Sequence, residues 1–204
     1  MSAKIMESIR DTLRCEADTI RRLAENMNEE QINDIVKTII GCKGKIITSG
    51  CGTSGAAAKK IAHTLSCVEC PALFLSPADA VHGGLGVVQK GDAVILLSKG
   101  GSTPEINQMI KACETKGAIL IAVTEKEDSY LAKRADYLLK IKIEKEPDDF
   151  NMLATASTMA VIAAFDSIAI AITRVRGYSK KQFLLIHPGG EVGNRLLEEE
   201  GEDK

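Results

Sequence analysis

"ITSGCGTSGAAAKK", residues 47–60, leaves an apolar run, crosses a knot of glycine, serine and threonine, and enters a stretch patterned like a helix. A strand that turns on glycines into a helix is the opening unit of a ligand-binding α/β sheet, so this stretch decides the fold. Gly50, Gly52 and Gly55 keep the G-x-G-x-x-G spacing of dinucleotide-binding turns. The second apolar run, however, ends in Ser76 and Pro77 with Asp79 further on, so no acid stands at the strand end to hold a ribose. "GCGTSG" also lacks the lysine of a P-loop. The loop fits a single small phosphorylated ligand better than a dinucleotide.

Working outward, "KIITS" (45–49), "ALFLS" (72–76), "AVILLS" (93–98), "AILIAVT" (118–124) and "YLLKIKI" (137–143) read as five strands. Helical patterns near 53–66, 103–116 and 128–135 separate them, and 77–90 is short and glycine-rich. Continuous apolar strands alternating with helices predict a doubly wound parallel sheet covered on both faces. The expected strand order is the flavodoxin-like 2-1-3-4-5. Ile5, Ile9, Leu13, Ile20, Leu23 and Met27 mark an N-terminal helix, and Asn28 is placed to cap a second one ending near Gly41. A long helix is predicted over 151–175, closed by Gly177. The chain thus divides into N-terminal helices (1–41), an α/β core with its long helix (42–176), and a C-terminal helical segment with a frayed acidic tail (177–204), all in one domain.

With 26 basic and 28 acidic residues the net charge is −2, and no basic stripe suggests a nucleic-acid partner. "MSAKIMESIRDTLRCEAD" lacks the apolar core of a signal peptide. The most apolar stretch, 160–172, is short for a bilayer and is interrupted by Asp166, so no membrane partner and a cytoplasmic location are expected. The six cysteines are expected to be reduced and mostly buried. Cys67 and Cys70 form a lone C-x-x-C without the second pair or histidines of a zinc site.

In a 2-1-3-4-5 sheet the strand order reverses between strands 1 and 3, and ligands bind beyond the carboxyl ends of the strands there. The loop after strand 3, "SKGGSTPE" (Ser98–Glu105), is again rich in glycine and hydroxyls and again opens a helix. Two such loops facing each other favour an anion, because helix N-termini offer free amides and a partial positive charge. The competing reading is that these residues only cap helices, where Ser, Thr and Gly are favoured anyway.

With both loops in place, the chain resembles the SIS (sugar isomerase) domain family from about residue 35 to 198. "GCGTSG" and "SKGGSTPE" are similar to its two phosphosugar loops. "PADAVHGGLGVVQKGDAVILLS" and "FLLIHPGGEVGNRLL" resemble the arabinose-5-phosphate isomerase branch. Three features depart from that branch. Thr53 stands where it has lysine, Lys99 and Gly100 stand where it has Asn or Gln followed by Ser, and these 204 residues hold none of the paired CBS repeats that often follow the domain, which shorter relatives also lack.

The resemblance implies an aldose–ketose isomerase working through an enediol without metal, nucleotide or other cofactor. It implies a homodimer or homotetramer with sites shared between subunits. Gly52, Thr53, Ser54, Ser98, Lys99, Ser102 and Thr103 would bind the phosphosugar, with His82 at the site edge. Glu105, Glu146 and His187 would handle protons, and His187 would enter from a neighbouring subunit. Each has a plainer alternative: Glu105 as a first-turn acid, Glu146 in a solvated acidic loop, His187 and His82 as loop packing. Cys51, at a helix N-terminus, is placed for a lowered pKa. Lys99, in the facing loop, could supply the charge that Thr53 cannot. The rival functions are a non-catalytic phosphosugar sensor and a 6-phospho-3-hexuloisomerase-like enzyme.

Overall fold

The five apolar runs become five parallel strands in a computed structural model that describes residues Ser2–Glu202. They are β1 (Ile46–Gly50), β2 (Ala72–Phe74), β3 (Ala93–Leu97), β4 (Ile119–Thr124) and β5 (Tyr137–Lys140), in the order β2-β1-β3-β4-β5. Registry runs Ile46 to Ala93 and Gly50 to Leu97 between the two central strands, so their carboxyl ends stop level. β3 is apolar and buried at every position because both of its faces are covered. Along β3, Ala93, Ile95 and Leu97 enter one core while Val94 and Leu96 enter the other.

On the first face lie α2 (Glu29–Gly41), α3 (Gly52–Ser66) and α7 (Ala156–Arg176). The second face carries α4 (Pro77–Ala80), a 3₁₀ turn at Gly84–Val87, α5 (Pro104–Lys116) and α6 (Tyr130–Arg134). The N-terminal α1 (Ser2–Asn26) packs Leu23 and the following Met27 on the first core. Its N-terminal half leaves Ile5, Ile9 and Leu13 exposed. Asn28 caps α2 as expected, accepting from the Gln31 amide at 2.9 Å. The chain closes with α8 (Lys180–Ile186) and α9 (Gly190–Glu202); the expected frayed tail is helical to Glu202, and its last two residues lie outside the described ones.

Several boundaries differ from expectation. The long helix begins at Ala156, not 151, because Asp148 takes the amides of Phe150, Met152 and Leu153 and folds that segment into a turn. By length and composition α7 could cross a membrane, contrary to the reading of 160–172, yet seven of its residues, Phe165 and Ile168 among them, are buried against the sheet and α3. β5 stops at Lys140 instead of 143. Only Cys70 and Cys113 are buried, and the other four thiols are half-buried.

Candidate active site

The first loop is set by a close approach of backbones. A Cβ on Gly55 would lie 2.6 Å from the Gly50 carbonyl oxygen, and one on Gly50 would lie 2.7 Å from the Ser54 backbone. Only glycine at both positions lets α3 start directly above the end of β1. In the second loop Gly101 has φ +65, and a Cβ there would meet the Ser129 hydroxyl at 2.1 Å. The loop is pinned from behind, since the Lys99 carbonyl accepts from Thr124 Oγ1 at 2.9 Å and the Glu125 amide at 3.0 Å.

Helix capping separates the two readings of these loops. Asn28, Ser76, Ser129 and Ser179 cap α2, α4, α6 and α8 with their side chains. Neither Cys51 ahead of α3 nor Thr103 ahead of α5 makes such a bond. The first helical bonds are Gly55 N–H to the Cys51 carbonyl (3.1 Å) and Asn107 N–H to the Thr103 carbonyl (3.0 Å). The amides just ahead of them are left for another acceptor. Thr103 instead shares a 2.8 Å hydrogen bond with Ser98, which is buried. The serines and threonines of these loops are therefore not serving as caps.

A cavity of about 90 Å³ opens between the loops, lined by Thr53, Ser54, Ser98, Lys99, Thr124 and Ser157 among others. Lys99 is its only cation among the described residues. Its Nζ lies 2.7 Å from Oε1 of Glu146, whose side chain is 0% exposed against 41% for Lys99. The same Oε1 accepts from the Ser157 hydroxyl, and Oε2 accepts from the amides of Thr155 (3.1 Å) and Ser157 (3.2 Å). Burial alone would raise the Glu146 pKa. Lys99, then Ser157 and the two amides, outweigh it and hold the carboxyl below its ordinary value. The solvated-loop alternative for Glu146 is excluded, and its carboxylate fills the N-terminus of α7 much as a bound anion would.

Glu105, in the first turn of α5, is exposed and acts electrostatically on Cys51, so the two loops face each other. Burial first and Glu105 second push the Cys51 thiol up, against the lowered value expected from its helix position. Gly52 and Ser102 are exposed at the loop tips, and the Ser102 hydroxyl turns back to the Gly100 carbonyl at 3.4 Å. His82 is exposed in the turn after α4 and does not line the cavity.

His187 is elsewhere. Tyr178 and Gln182 tie α8 to Cys67 and Glu69, at the far end of α3 from the first loop. Fifteen residues of α3 span about 22 Å. The five residues from Gln182 to His187 recover at most about 8 Å of that. His187 thus cannot reach the cavity of its own chain; its ring stacks on Phe183 at 4.1 Å, and its Nδ1 is buried without a partner. Ser157, Thr158 and Thr124 were not expected at the site; the hydroxyl-rich "ATAST" (154–158) opening α7 was the available signal.

A second, open groove of about 1060 Å³ runs outside the edge strand β5 along α1. Charges of both signs, including Asp18, Arg22, Lys142 and Glu144, line it, and no glycine-rich helix start does. Among the described residues no three His, Cys, Asp or Glu side chains are grouped to hold a metal ion.

An open parallel sheet with two uncapped helix starts at its switch point defines a doubly wound α/β protein. The SIS domain family matches residues 39–174, and the chain belongs to it. It is 36% identical over 193 residues to the arabinose 5-phosphate isomerase KpsF of Escherichia coli, which covers 95% of this chain and 61% of that protein. It is 36% identical over 197 residues to the arabinose 5-phosphate isomerase GutQ of Salmonella typhi, covering 97% and 61%. The chain therefore spans about 61% of the length of these curated relatives. Among solved structures, a candidate sugar-phosphate isomerase of Listeria monocytogenes superimposes with a TM-score of 0.89 at 54% identity, over 91% of this chain and 97% of that one. An Escherichia coli protein in complex with arabinose 5-phosphate superimposes with a TM-score of 0.89 at 28% identity, over 92% and 100%.

Proposed function

We propose that this chain is a phosphosugar isomerase of the arabinose 5-phosphate/ribulose 5-phosphate type, working through an enediol. One observation carries the reading: α3 and α5 meet across β1 and β3 with N-termini that no side chain caps. The phosphoryl group would accept from the amides of Gly52, Thr53 and Ser54, from the hydroxyls of Ser54 and Ser102, and from whichever hydroxyl of the bonded Ser98–Thr103 pair keeps its proton free. The sugar would extend into the cavity toward Lys99 and Ser157. Glu105 is the exposed carboxylate beside the loops and would carry the proton between carbons 1 and 2. Histidine chemistry suits ring opening, and His187, distant from the cavity of its own chain, would come from a second copy. The bare apolar stripe of Ile5, Ile9 and Leu13 on α1 would pack in that assembly.

A panel of sugar phosphates tests this, screened by thermal shift and then by solvent-deuterium exchange at carbon 2. Arabinose 5-phosphate is expected to stabilise the protein and to exchange; neither effect with any phosphosugar would contradict the reading. Thr53 favours one alternative, a phosphosugar sensor, because it places no charge in the first loop. A sensor would show the thermal shift without the exchange.

A further inference from the structure

We infer that Lys99 is the catalytic electrophile of this site and that Glu146 acts through it as a positioning residue; this rests on the isomerase reading above. Lys99 is the one cation lining the cavity among the described residues, and the first loop offers none. The phosphoryl group has amides and hydroxyls at β1 and β3, so it needs no ammonium. The Lys99 side chain runs the other way, toward Ser157 at the start of α7, and is held there by Glu146. That puts its charge beside the part of the cavity left for the sugar carbons.

Glu146 is poorly placed to move protons itself. Oε1 is engaged by Lys99 and Ser157, Oε2 by two backbone amides, and the side chain has no exposed surface. Its own amide donates to Asn151 Oδ1 at 2.6 Å, so the backbone that carries this carboxylate is itself held in place. The one contact that leaves the segment for the cavity is the ion pair to Lys99.

In the reaction, Glu105 takes the proton from carbon 2 of the open-chain aldose. The C–H pair becomes the C1–C2 double bond, and the carbonyl pair moves onto O1. The Lys99 ammonium stabilises that oxyanion as its charge develops. Glu105 then returns the proton to carbon 1 while O2 becomes the carbonyl and its proton passes to O1. No electrons leave the sugar.

The test is a double-mutant cycle read by carbon-2 exchange and turnover on arabinose 5-phosphate, with melting curves for every variant. Lys99→Met is expected to lower kcat by about 10²–10³-fold, as for loss of one oxyanion donor, while KM moves less than about threefold. Lys99→Arg is expected to recover part of the rate. Adding Glu146→Gln to Lys99→Met is expected to cost nothing further, because the second group acts only through the first. The double variant also removes both charges, so it stays informative if Lys99→Met alone leaves a buried carboxylate unpaired and unfolds. Turnover by Lys99→Met or the double variant within about threefold of the unmodified chain would overturn the role of Lys99 and leave the isomerase reading standing. A further hundredfold loss on adding Glu146→Gln would make Glu146 a proton carrier and overturn its positioning role. No exchange in the unmodified protein would remove both the reading and the inference.

Discussion

Replacing Gly55 by alanine should damage both the fold and ligand binding, and the structure sets the size of the effect. The new Cβ would stand 2.6 Å from the Gly50 carbonyl oxygen, where ordinary contact begins near 3.4 Å. The neighbour is backbone, so no side chain can swing aside; β1 and the first turn of α3 must part by roughly 0.8 Å. Overpacking of this kind costs about 2 kcal/mol, or a fall in Tm of roughly 4–8 °C for a chain of this size. The same displacement moves the amides of Gly52–Ser54 away from the phosphoryl position, so stabilisation by arabinose 5-phosphate should need at least about tenfold more ligand. Gly41→Ala is the control, since its Cβ meets nothing within 4 Å at the end of α2. Differential scanning fluorimetry across a ligand titration measures both quantities. A Gly55→Ala protein that melts with the unmodified chain and responds equally to ligand would refute the close-approach argument.

Asp92 is buried, accepting from the Lys45 amide (2.9 Å), Lys45 Nζ (2.7 Å) and the Gln89 amide (2.7 Å). Burial would raise its pKa, but Lys45 and these amides hold it below the ordinary value. Its stabilisation is therefore complete above the unfolded-chain value of about 3.9 and is lost as pH falls through the lower folded value. Asp92→Asn should cost about 3 kcal/mol at pH 7, and the gap to the unmodified chain should close below about pH 4 in urea titrations; a gap independent of pH would contradict this. Cys51→Ala should retain turnover within about threefold, because burial and Glu105 keep the thiol protonated; a loss of about 10³-fold would make it a nucleophile. With the proposed assembly packing through α1, Ile9→Glu should shift it toward smaller species by light scattering without lowering helix content, whereas an unchanged mass would contradict a role for α1 in assembly.

The sheet was readable because each strand begins in a short apolar run between turn residues, and β3, apolar and buried along its whole length, shows the pattern of a strand covered on both faces. The switch-point loops were readable for the same reason, as they follow strands 1 and 3 directly. Long-range contacts were not. Lys99 and Glu146 are 47 residues apart, and no spacing rule brings a loop tip to a buried carboxylate. The stretch "FNMLATAST" carries apolar residues at helical spacing, yet Asp148 captures its amides and delays α7 to Ala156. Likewise, nothing local in "IHPGG" reveals that α8 is anchored at the far end of α3.

The most direct test is a crystal structure with arabinose 5-phosphate bound. The phosphorus is expected between the two loops, with its oxygens within about 3 Å of the Gly52–Ser54 amides and the Ser98 and Thr103 side of the second loop. A crevice closed by side chains, with the ligand elsewhere or absent, would contradict the account at its centre.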